Sequence, residues 1–190
     1  KQRYGVIMDA GTGGHSLKWL ATLPAVDRIV AVSADLSSGE GKGAHNMRSK
    51  LGDNDMLVQG SWCTGHPPVQ VKCDTILCDY LLGSMDGFTP YEQDRLVDDL
   101  RPFLQPDGLI HLVGLQPIYT WLTPTKYKAL TDAQRVVVDV ARLRDACILL
   151  AAHRPYREYP VAWLERHLNA SGLDLVAPPR KYSVLWKHAT

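Results

Sequence analysis

The chain has 190 residues, of which 45% are hydrophobic and 22% are charged, a composition typical of one globular domain. Its 21 Lys and Arg residues nearly balance 20 Asp and Glu residues, so it lacks the basic excess of a mainly electrostatic nucleic-acid binder. No apolar run approaches the roughly 18 residues that a membrane span needs. We therefore expect one soluble domain over residues 1–190, with no membrane and no nucleic-acid partner.

The cysteines indicate a reducing compartment. They are too few to stabilise a domain of this size through disulfide bonds, and their spacing is not that of metal ligands. We therefore expect a cytoplasmic protein without disulfides or metal. The chain begins at Lys1 instead of Met, which suggests a processed or trimmed product whose targeting segment would not be visible. The four cysteines are Cys63, Cys73, Cys78 and Cys147.

The first half of the chain alternates predicted strands and helices. A glycine-rich turn follows the first apolar run, and a helix over 15–23 ends before Pro24. Residues 37–50 are polar and are expected to form a loop with a short helix. The four predicted strands are residues 4–8, 29–33, 56–59 and 75–78.

The second half continues the alternation. We predict a helix over 92–104 that the turn residues Pro106, Asp107 and Gly108 stop, and then a strand over 109–115. A helix over 160–170 is followed by two final strands, 173–177 and 182–186, with a connection short enough for an antiparallel hairpin.

The strongest helical pattern covers residues 131–152. Its apolar positions recur at spacings of four, three, four and three, which predicts one buried stripe. The opposite side carries Arg135, Asp139 and Arg142 and is expected to face solvent. The stripe consists of Val136, Val140, Leu143, Cys147 and Leu150.

Alternating strands and helices with largely apolar strands predict a doubly wound α/β domain whose mostly parallel sheet is covered on both faces. Ligands of such sheets bind at the carboxyl ends of the strands, near the point where the strand order reverses. The residues to examine are therefore those that follow the first four strands.

The turn after the first strand favours a cationic nucleoside ligand. Gly11 and Gly13 allow close approach of a ligand, but Ser16 stands where a dinucleotide fingerprint has its third glycine. Asp9 would repel a pyrophosphate and could pair with an ammonium group, while Asp35 is placed to bind the hydroxyls of a ribose. S-adenosylmethionine, which has both groups, fits this description.

Residues 4–187 contain five motifs whose sequence and order resemble those of the Rossmann-like class I S-adenosylmethionine-dependent methyltransferases. The resemblance implies a seven-stranded sheet in the order 3-2-1-4-5-7-6 with an antiparallel last strand. It also implies that the fourth motif faces the transferred methyl group. The motifs are Asp9-Ala-Gly-Thr-Gly-Gly-His, Ala-Val-Ser-Ala-Asp35, Gly60-Ser61-Trp62, Asp74-Thr-Ile-Leu-Cys-Asp79-Tyr80 and the turn Leu100-Arg-Pro-Phe-Leu-Gln-Pro-Asp-Gly-Leu-Ile.

The family pattern assigns a cofactor set to this sequence. Ser61 replaces the acid that usually contacts the adenine amino group, and Trp62 could supply an aromatic face. The predicted cofactor-binding residues are Asp9, Gly11, Thr12, Gly13, His15, Ser16, Asp35, Ser61, Trp62 and Asp79.

Three segments above the strand ends are candidates for acceptor binding and catalysis. Asp79, Tyr80 and His153 are the candidate catalytic groups, because an acceptor can need a base. Segments 117–131 and 153–160 are the candidate substrate segments, the first too long for a simple connection. The predicted substrate-binding residues are Tyr119, Trp121, Arg154, Tyr156 and Arg157.

Each of these residues also has a purely structural interpretation. Asp79 could cap a turn, the aromatic residues of 117–131 could form a packed flap, and His153 could interact with a helix dipole. Arg154 and Arg157 could be surface cations. Three further residues are assigned to the core: His111, Trp163 and Leu164.

The sequence therefore predicts methyl transfer to a nitrogen, oxygen or sulfur atom of a small-molecule acceptor. The fourth motif lacks the Asn/Asp-Pro-Pro-Tyr form of enzymes that methylate base amino groups. Two alternatives stay open: a non-catalytic adaptor that keeps the fold, and a nicotinamide-dependent oxidoreductase. The oligomeric state is not predicted.

Overall fold

A computed structural model describes residues 3–36, 44–62, 67 and 69–183. Within them, five strands form one parallel sheet in the order β3-β2-β1-β4-β5. The order reverses between β1 and β4, so the predicted mostly parallel α/β sheet is confirmed. The strands are β1 Gly5–Asp9, β2 Val26–Ser33, β3 Met56–Gln59, β4 Cys73–Asp79 and β5 Leu104–Val113.

Helices connect and cover these strands. No described helix is both long and apolar enough to cross a lipid bilayer. Three 3₁₀ turns, Met85–Gly87, Gln93–Arg95 and Arg101–Phe103, add to the α-helices. The α-helices are α1 Gly14–Leu20, α2 Ala44–Arg48, α3 Leu81–Ser84, α4 Leu96–Leu100, α5 Pro124–Lys128, α6 Asp132–Leu150 and α7 Val161–Ala170.

Side chains along each strand point alternately to the two faces of the sheet, and apolar side chains form a hydrophobic core on each face. Ile7 packs on one face with Leu17 of α1, whereas its neighbour Met8 packs on the other face with Leu96 of α4. Successive side chains of a strand point to opposite faces, so a strand buried on both faces needs a continuous apolar run. Cys73 and Cys78 are buried within this core, as expected for small apolar fillers.

The region before β5 differs from its prediction. The helix predicted over 92–104 is an α-helix of five residues between two 3₁₀ turns. Pro102 occupies the last turn, where proline cannot donate a helical hydrogen bond. The expected stop at residues 106–108 lies inside β5: Cys73 pairs with Leu104, and Thr75 with Leu109. The Pro-Asp-Gly sequence thus forms a bulge within the strand.

β5 is one of the two edge strands of the sheet within the described residues, the other being β3. His111 is consequently exposed, so its assignment to a buried strand was wrong. Residues 173–177 and 182–183, predicted as strands, are irregular, and residues 184–186 of the last predicted strand lie outside the described residues. The seven-stranded order stays a prediction.

α6 forms where it was predicted, over residues 132–150 instead of 131–152, but it buries the opposite face. Thr131 caps it, since its hydroxyl accepts from Gln134 N and its own N–H donates to the Gln134 side chain. The buried residues of α6 are Val138 and Ala141, whereas Val136 is 61% exposed and the rest of the predicted stripe is exposed with it. Periodicity identified an apolar face correctly, but not the face that the domain buries.

Candidate functional site

The carboxyl ends of β1, β2 and β3 border an open cavity of about 280 Å³. Its position beside the reversal of strand order is where doubly wound sheets bind ligands. The lining combines backbone of the strand ends with apolar side chains of the α3 region. The described lining residues are Ala10, Gly11, Thr12, Ser33, Ala34, Asp35, Gly60, Ser61, Trp62, Leu81, Ser84, Met85 and Phe88.

Asp9, the last residue of β1, organises the turn beneath this cavity. It is fully buried, and its Oδ2 accepts hydrogen bonds from Thr12 Oγ1 at 2.5 Å and Ser16 Oγ at 2.7 Å. Gly13 N donates in turn to Ser16 Oγ at 3.1 Å. Asp9 Oδ1 is buried without a hydrogen-bond partner among the described residues. The carboxylate therefore fixes the glycine turn from inside and does not itself line the cavity.

Burial makes the ionised form of the Asp9 carboxyl less favourable. The pKa of the carboxyl is raised from 3.8 to about 6, mainly because the group is buried. The hydrogen bonds from Ser16 and Thr12 oppose this rise, and the nearby Asp79 contributes to it. At neutral pH the group is largely ionised, so a buried negative charge lies directly beneath the cavity. A buried charge acts on its surroundings more strongly than an exposed one, because less water screens it.

Gly11 packs closely against the Leu81 side chain of α3. A Cβ atom at this position would lie 2.7 Å from Leu81 Cδ1, a distance that side chains do not tolerate without displacement. Gly13 and Gly14 are different, since a Cβ at either would meet no heavy atom within 4 Å. His15 follows in the first turn of α1 and is exposed. Of the three predicted glycines, only Gly11 is needed for the contact between the turn and α3.

The second wall comes from the ends of β2 and β3. Asp35 lies just after β2 in an exposed position on the cavity wall, and its backbone carbonyl accepts from Ser33 Oγ at 3.0 Å. Ser61 and Trp62 follow β3. Trp62 is only 5% exposed, its Nε1 donates to Ala10 O, and its ring packs edge-on against Phe103. The indole is thus a buried wall and anchor, with little free aromatic face.

Asp79 is the last residue of β4 and Tyr80 follows it at the start of α3, next to this cavity, but neither is among the residues that line it. Burial raises the pKa of the half-buried Asp79 carboxyl. Tyr80 has the left-handed backbone conformation (φ 54°, ψ 15°), which non-glycine residues adopt at a cost, and its N–H donates to Val113 O at 3.0 Å. Strained residues of this kind concentrate at functional sites.

Sequence reasoning missed the α3 region, which forms the apolar wall of the cavity. Leu81 and Met85 are buried and lie four residues apart, and Phe88 is 62% exposed at the cavity. The i, i+4 spacing of the two apolar residues is a helical signal. The segment is nevertheless difficult to predict, because α3 has four residues and continues directly into a 3₁₀ turn.

Segment 153–160 lies against α3 and the end of β5. Arg157 N donates to Gly83 O at 3.3 Å, and its guanidinium is 3.8 Å from the buried Asp86 carboxylate. Glu158 Oε2 accepts from Leu115 N at 3.2 Å. This segment therefore approaches the carboxyl edge of the sheet, although none of its residues lines the described cavity.

Other predicted substrate residues of this region project to solvent. His153 is exposed just after α6, and its N–H donates to Ile148 O at 3.0 Å, closing the helix end. Arg154 and Tyr156 are also exposed. Trp163, assigned to the core, is only partly buried and stacks between the rings of Tyr159 and His167.

Segment 117–131 packs on α6. Tyr127 Oη donates to Asp139, and Arg142 Nε donates to Thr120 O at 2.9 Å while its guanidinium lies over the Tyr127 ring. Trp121 is 97% exposed and Tyr119 is 58% exposed. The structure therefore brings neither of these two aromatic side chains to the cavity.

Comparisons with solved structures give the same type of fold. A chain in the complex between the Haloferax volcanii Trm112 methyltransferase activator and a candidate methyltransferase matches 90% of this chain, with 10% identity and a TM-score of 0.56. PKMT2 from Rickettsia typhi matches 87% of it, with 15% identity and a TM-score of 0.52. No protein-family model and no curated protein sequence matches the chain.

At these identities the likeness establishes a shared fold. The chain spans 62% of the matched Haloferax chain and 38% of the Rickettsia chain. The domain therefore shares the parallel α/β fold of these two chains, with its cavity at the strand ends where this architecture binds ligands.

Proposed function

We propose that this domain binds S-adenosylmethionine in the cavity and transfers its methyl group to a small-molecule acceptor, as a class I methyltransferase does. The observation that carries the proposal is the distribution of charge. The described lining contains one ionisable acid, Asp35, and no Lys, Arg or His. Asp9 adds a buried negative charge beneath the same wall. A ligand with two phosphates would meet no described cation there, whereas a sulfonium with an ammonium group is attracted.

The residues present fit the separate parts of this ligand. Asp35, at the end of β2, is placed for a bidentate contact with the two ribose hydroxyls. Leu81, Met85 and Phe88 provide an apolar wall for the adenine ring, with Ser61 beside it as a hydrogen-bonding group. The contact of Gly11 with Leu81 keeps the turn close to this wall, which leaves the backbone accessible to the ligand.

The buried acceptor of Asp9 is a further point of fit. Its Oδ1 has no described partner, and buried carboxylate oxygens without a hydrogen bond are costly. A water between the ammonium group of the ligand and the carboxylate would provide the missing donor, because Asp9 itself does not line the cavity. The hydroxyls of Thr12 and Ser16 hold the other oxygen, so the carboxylate cannot rotate freely.

Bound S-adenosylmethionine supplies an electrophilic methyl group, which a nucleophile displaces directly. The protein then has to align the acceptor and exclude water. Asp79 and Tyr80 are the groups proposed at the methyl position, because the end of β4 adjoins the turn of β1. The raised pKa of Asp79 makes it a better proton acceptor than an ordinary carboxylate. Segment 153–160, held by Arg157 and Glu158, is the proposed acceptor side.

Calorimetry with S-adenosylmethionine and with its demethylated product tests binding. Asp35→Ala should weaken binding by about 1–3 kcal/mol, roughly 5- to 150-fold, because the ribose hydroxyls lose their acceptor. Asp98→Ala is the matched control, since Asp98 is an exposed acid of α4, away from the cavity lining. If Asp35→Ala and the wild type bound S-adenosylmethionine with equal affinity, Asp35 would not be the residue that binds the ribose.

A second pair of measurements tests the reaction class. Transfer of a labelled methyl group to a component of a metabolite extract is expected. Binding without transfer to any component would favour the non-catalytic adaptor. Energy transfer from tryptophan to reduced nicotinamide cofactor, with no heat from S-adenosylmethionine, would favour an oxidoreductase instead.

A further inference from the structure

The outer face of α6 is an apolar surface that no described residue covers. Leu143 is 65% exposed and Leu150 is 88% exposed, although both lie in a well-formed helix of 19 residues. The domain contacts the opposite side of the helix, where Val138 and Ala141 are buried. We call the exposed set the outer seam: Ala133, Val136, Val140, Leu143, Cys147 and Leu150.

The spacing of the outer seam is that of a two-stranded coiled coil. Its residues alternate at three and four positions, so they occupy a and d of successive heptads. Val140 takes an a position, as do the small residues Ala133 and Cys147, and Leu143 and Leu150 take d positions together with Val136. A β-branched residue at a with leucine at d favours two parallel strands over three or four.

Charges beside the seam are complementary in the parallel arrangement. Asp139 takes a g position and Arg144 the e position five residues later, the pair that meets between two parallel helices. Their side chains are 52% and 55% exposed. At present Asp139 is paired with Arg142 and accepts a hydrogen bond from Tyr127 Oη, and Arg144 is paired with Asp145. Both ion pairs lie on the exposed surface of the helix, where such pairs contribute little.

We propose that α6 pairs in parallel with α6 of a second copy of this chain, around a two-fold axis along the outer seam. A two-fold interface must be complementary to itself, and one helix here carries both members of the g–e ion pair together with the apolar seam. An antiparallel pair would place e beside e and g beside g, and Asp139 would lose its partner. The contact spans about 27 Å of helix.

This interface is small. A two-helix contact of this length buries less than the roughly 1,200–2,000 Å² of stable interfaces, so we expect a dissociation constant in the micromolar range. The association does not depend on the proposed methyl transfer, since no residue of the seam lines the cavity.

Sedimentation of the purified chain across the micromolar range is the first experiment. A monomer–dimer equilibrium is expected, and a bismaleimide should join the two Cys147 side chains because an a position faces itself in a parallel pair. Cys147→Ser should abolish the cross-link and leave the dimer. A dimer that Cys147 does not cross-link would overturn the parallel arrangement.

Matched substitutions on the same helix test the seam itself. Leu143→Glu should weaken the dimer by at least about tenfold, because each copy loses a buried leucine. Leu149→Glu, equally apolar and 59% exposed but off the seam, should leave it unchanged. Asp139→Arg and Arg144→Asp should each weaken the dimer several-fold, and the double variant should restore it.

Two results contradict the proposal. Equal effects of Leu143→Glu and Leu149→Glu would mean that the seam is not the interface. A chain that stays monomeric at the highest concentration would exclude the second copy as occupant. Slow alkylation of Cys147 in that monomer would then show that other residues of the same chain cover the seam.

Discussion

The ionised carboxylate of Asp9 lies beneath the cavity, and the variant Asp9→Asn tests how much this buried charge lowers the free energy of unfolding. The folded protein raises the pKa of this carboxyl from 3.8 to about 6 because the group is buried. Well below pH 3.8 the carboxyl is protonated in both the folded and the unfolded chain, so burial carries no charge penalty. Well above pH 6 it is ionised in both, and the folded state bears the full penalty. The free energy of unfolding should therefore fall between pH 4 and 6.

The size of this fall follows from the two pKa values. Each pH unit between them corresponds to about 1.36 kcal/mol, which gives about 3 kcal/mol in total. Asparagine keeps one carbonyl oxygen for Thr12 and Ser16 but places an amide N–H₂ where Oδ1 has no described partner, at a cost of about 1–3 kcal/mol. The variant should thus be less stable than the wild type at pH 4 and equal or more stable at pH 7.

Urea unfolding of both proteins from pH 4 to 7.5, without ligand, measures the difference. Other carboxylates titrate in the same interval, so the relevant quantity is the free energy of the variant minus that of the wild type at each pH. Asp98→Asn removes one exposed acid and should give a nearly constant difference. If the free energy of unfolding changed with pH in the same way for Asp9→Asn and the wild type, the interpretation of Asp9 as a destabilising buried charge would be refuted.

Two further predictions concern the backbone around the cavity. Gly11→Ala should lower the free energy of unfolding by about 1–3 kcal/mol because its methyl group meets Leu81, while Gly14→Ala, which meets no atom within 4 Å, should not lower it. Chemical denaturation compares the two, and equal losses would contradict the contact with Leu81. Tyr80→Gly should be as stable as the wild type or more so, and Tyr80→Val less stable by about 1–2 kcal/mol, because only glycine accepts φ 54° without strain. Thermal unfolding measures both, and a destabilised glycine variant would mean that the tyrosine side chain outweighs the strain.

The inner strands β1, β2 and β4 could be predicted from local pattern, because they are largely buried on both faces. The edge strand β3 was also predicted, over residues 56–59, with the observed bounds. Long apolar runs between turn signals have few alternatives. The Pro-Asp-Gly sequence of 106–108 was misread, since a turn signal also suits a bulge, and only the pairing with β4 distinguishes the two.

The candidate site was predictable only in part, for a related reason. Asp35 and Gly11 reach one cavity because parallel strands bring their carboxyl ends to the same edge. The wall formed by Leu81 and Phe88 depends on how a four-residue helix packs against that edge. The orientation of α6 depends on tertiary contacts in the same way, because periodicity specifies an apolar face and not the surface that covers it.

The structure also changes how Asp9 would select a ligand. Sequence reasoning placed its carboxylate against an ammonium group, but Thr12 and Ser16 occupy one oxygen, and the residue lies beneath the cavity wall. Its charge therefore acts mainly as a field across a poorly screened interior, to which the half-buried Asp79 adds. A glycine turn alone accommodates a pyrophosphate or an amino-acid tail equally well. Under the proposed function, the negative field, with no described cation on the cavity lining, would favour the cationic tail.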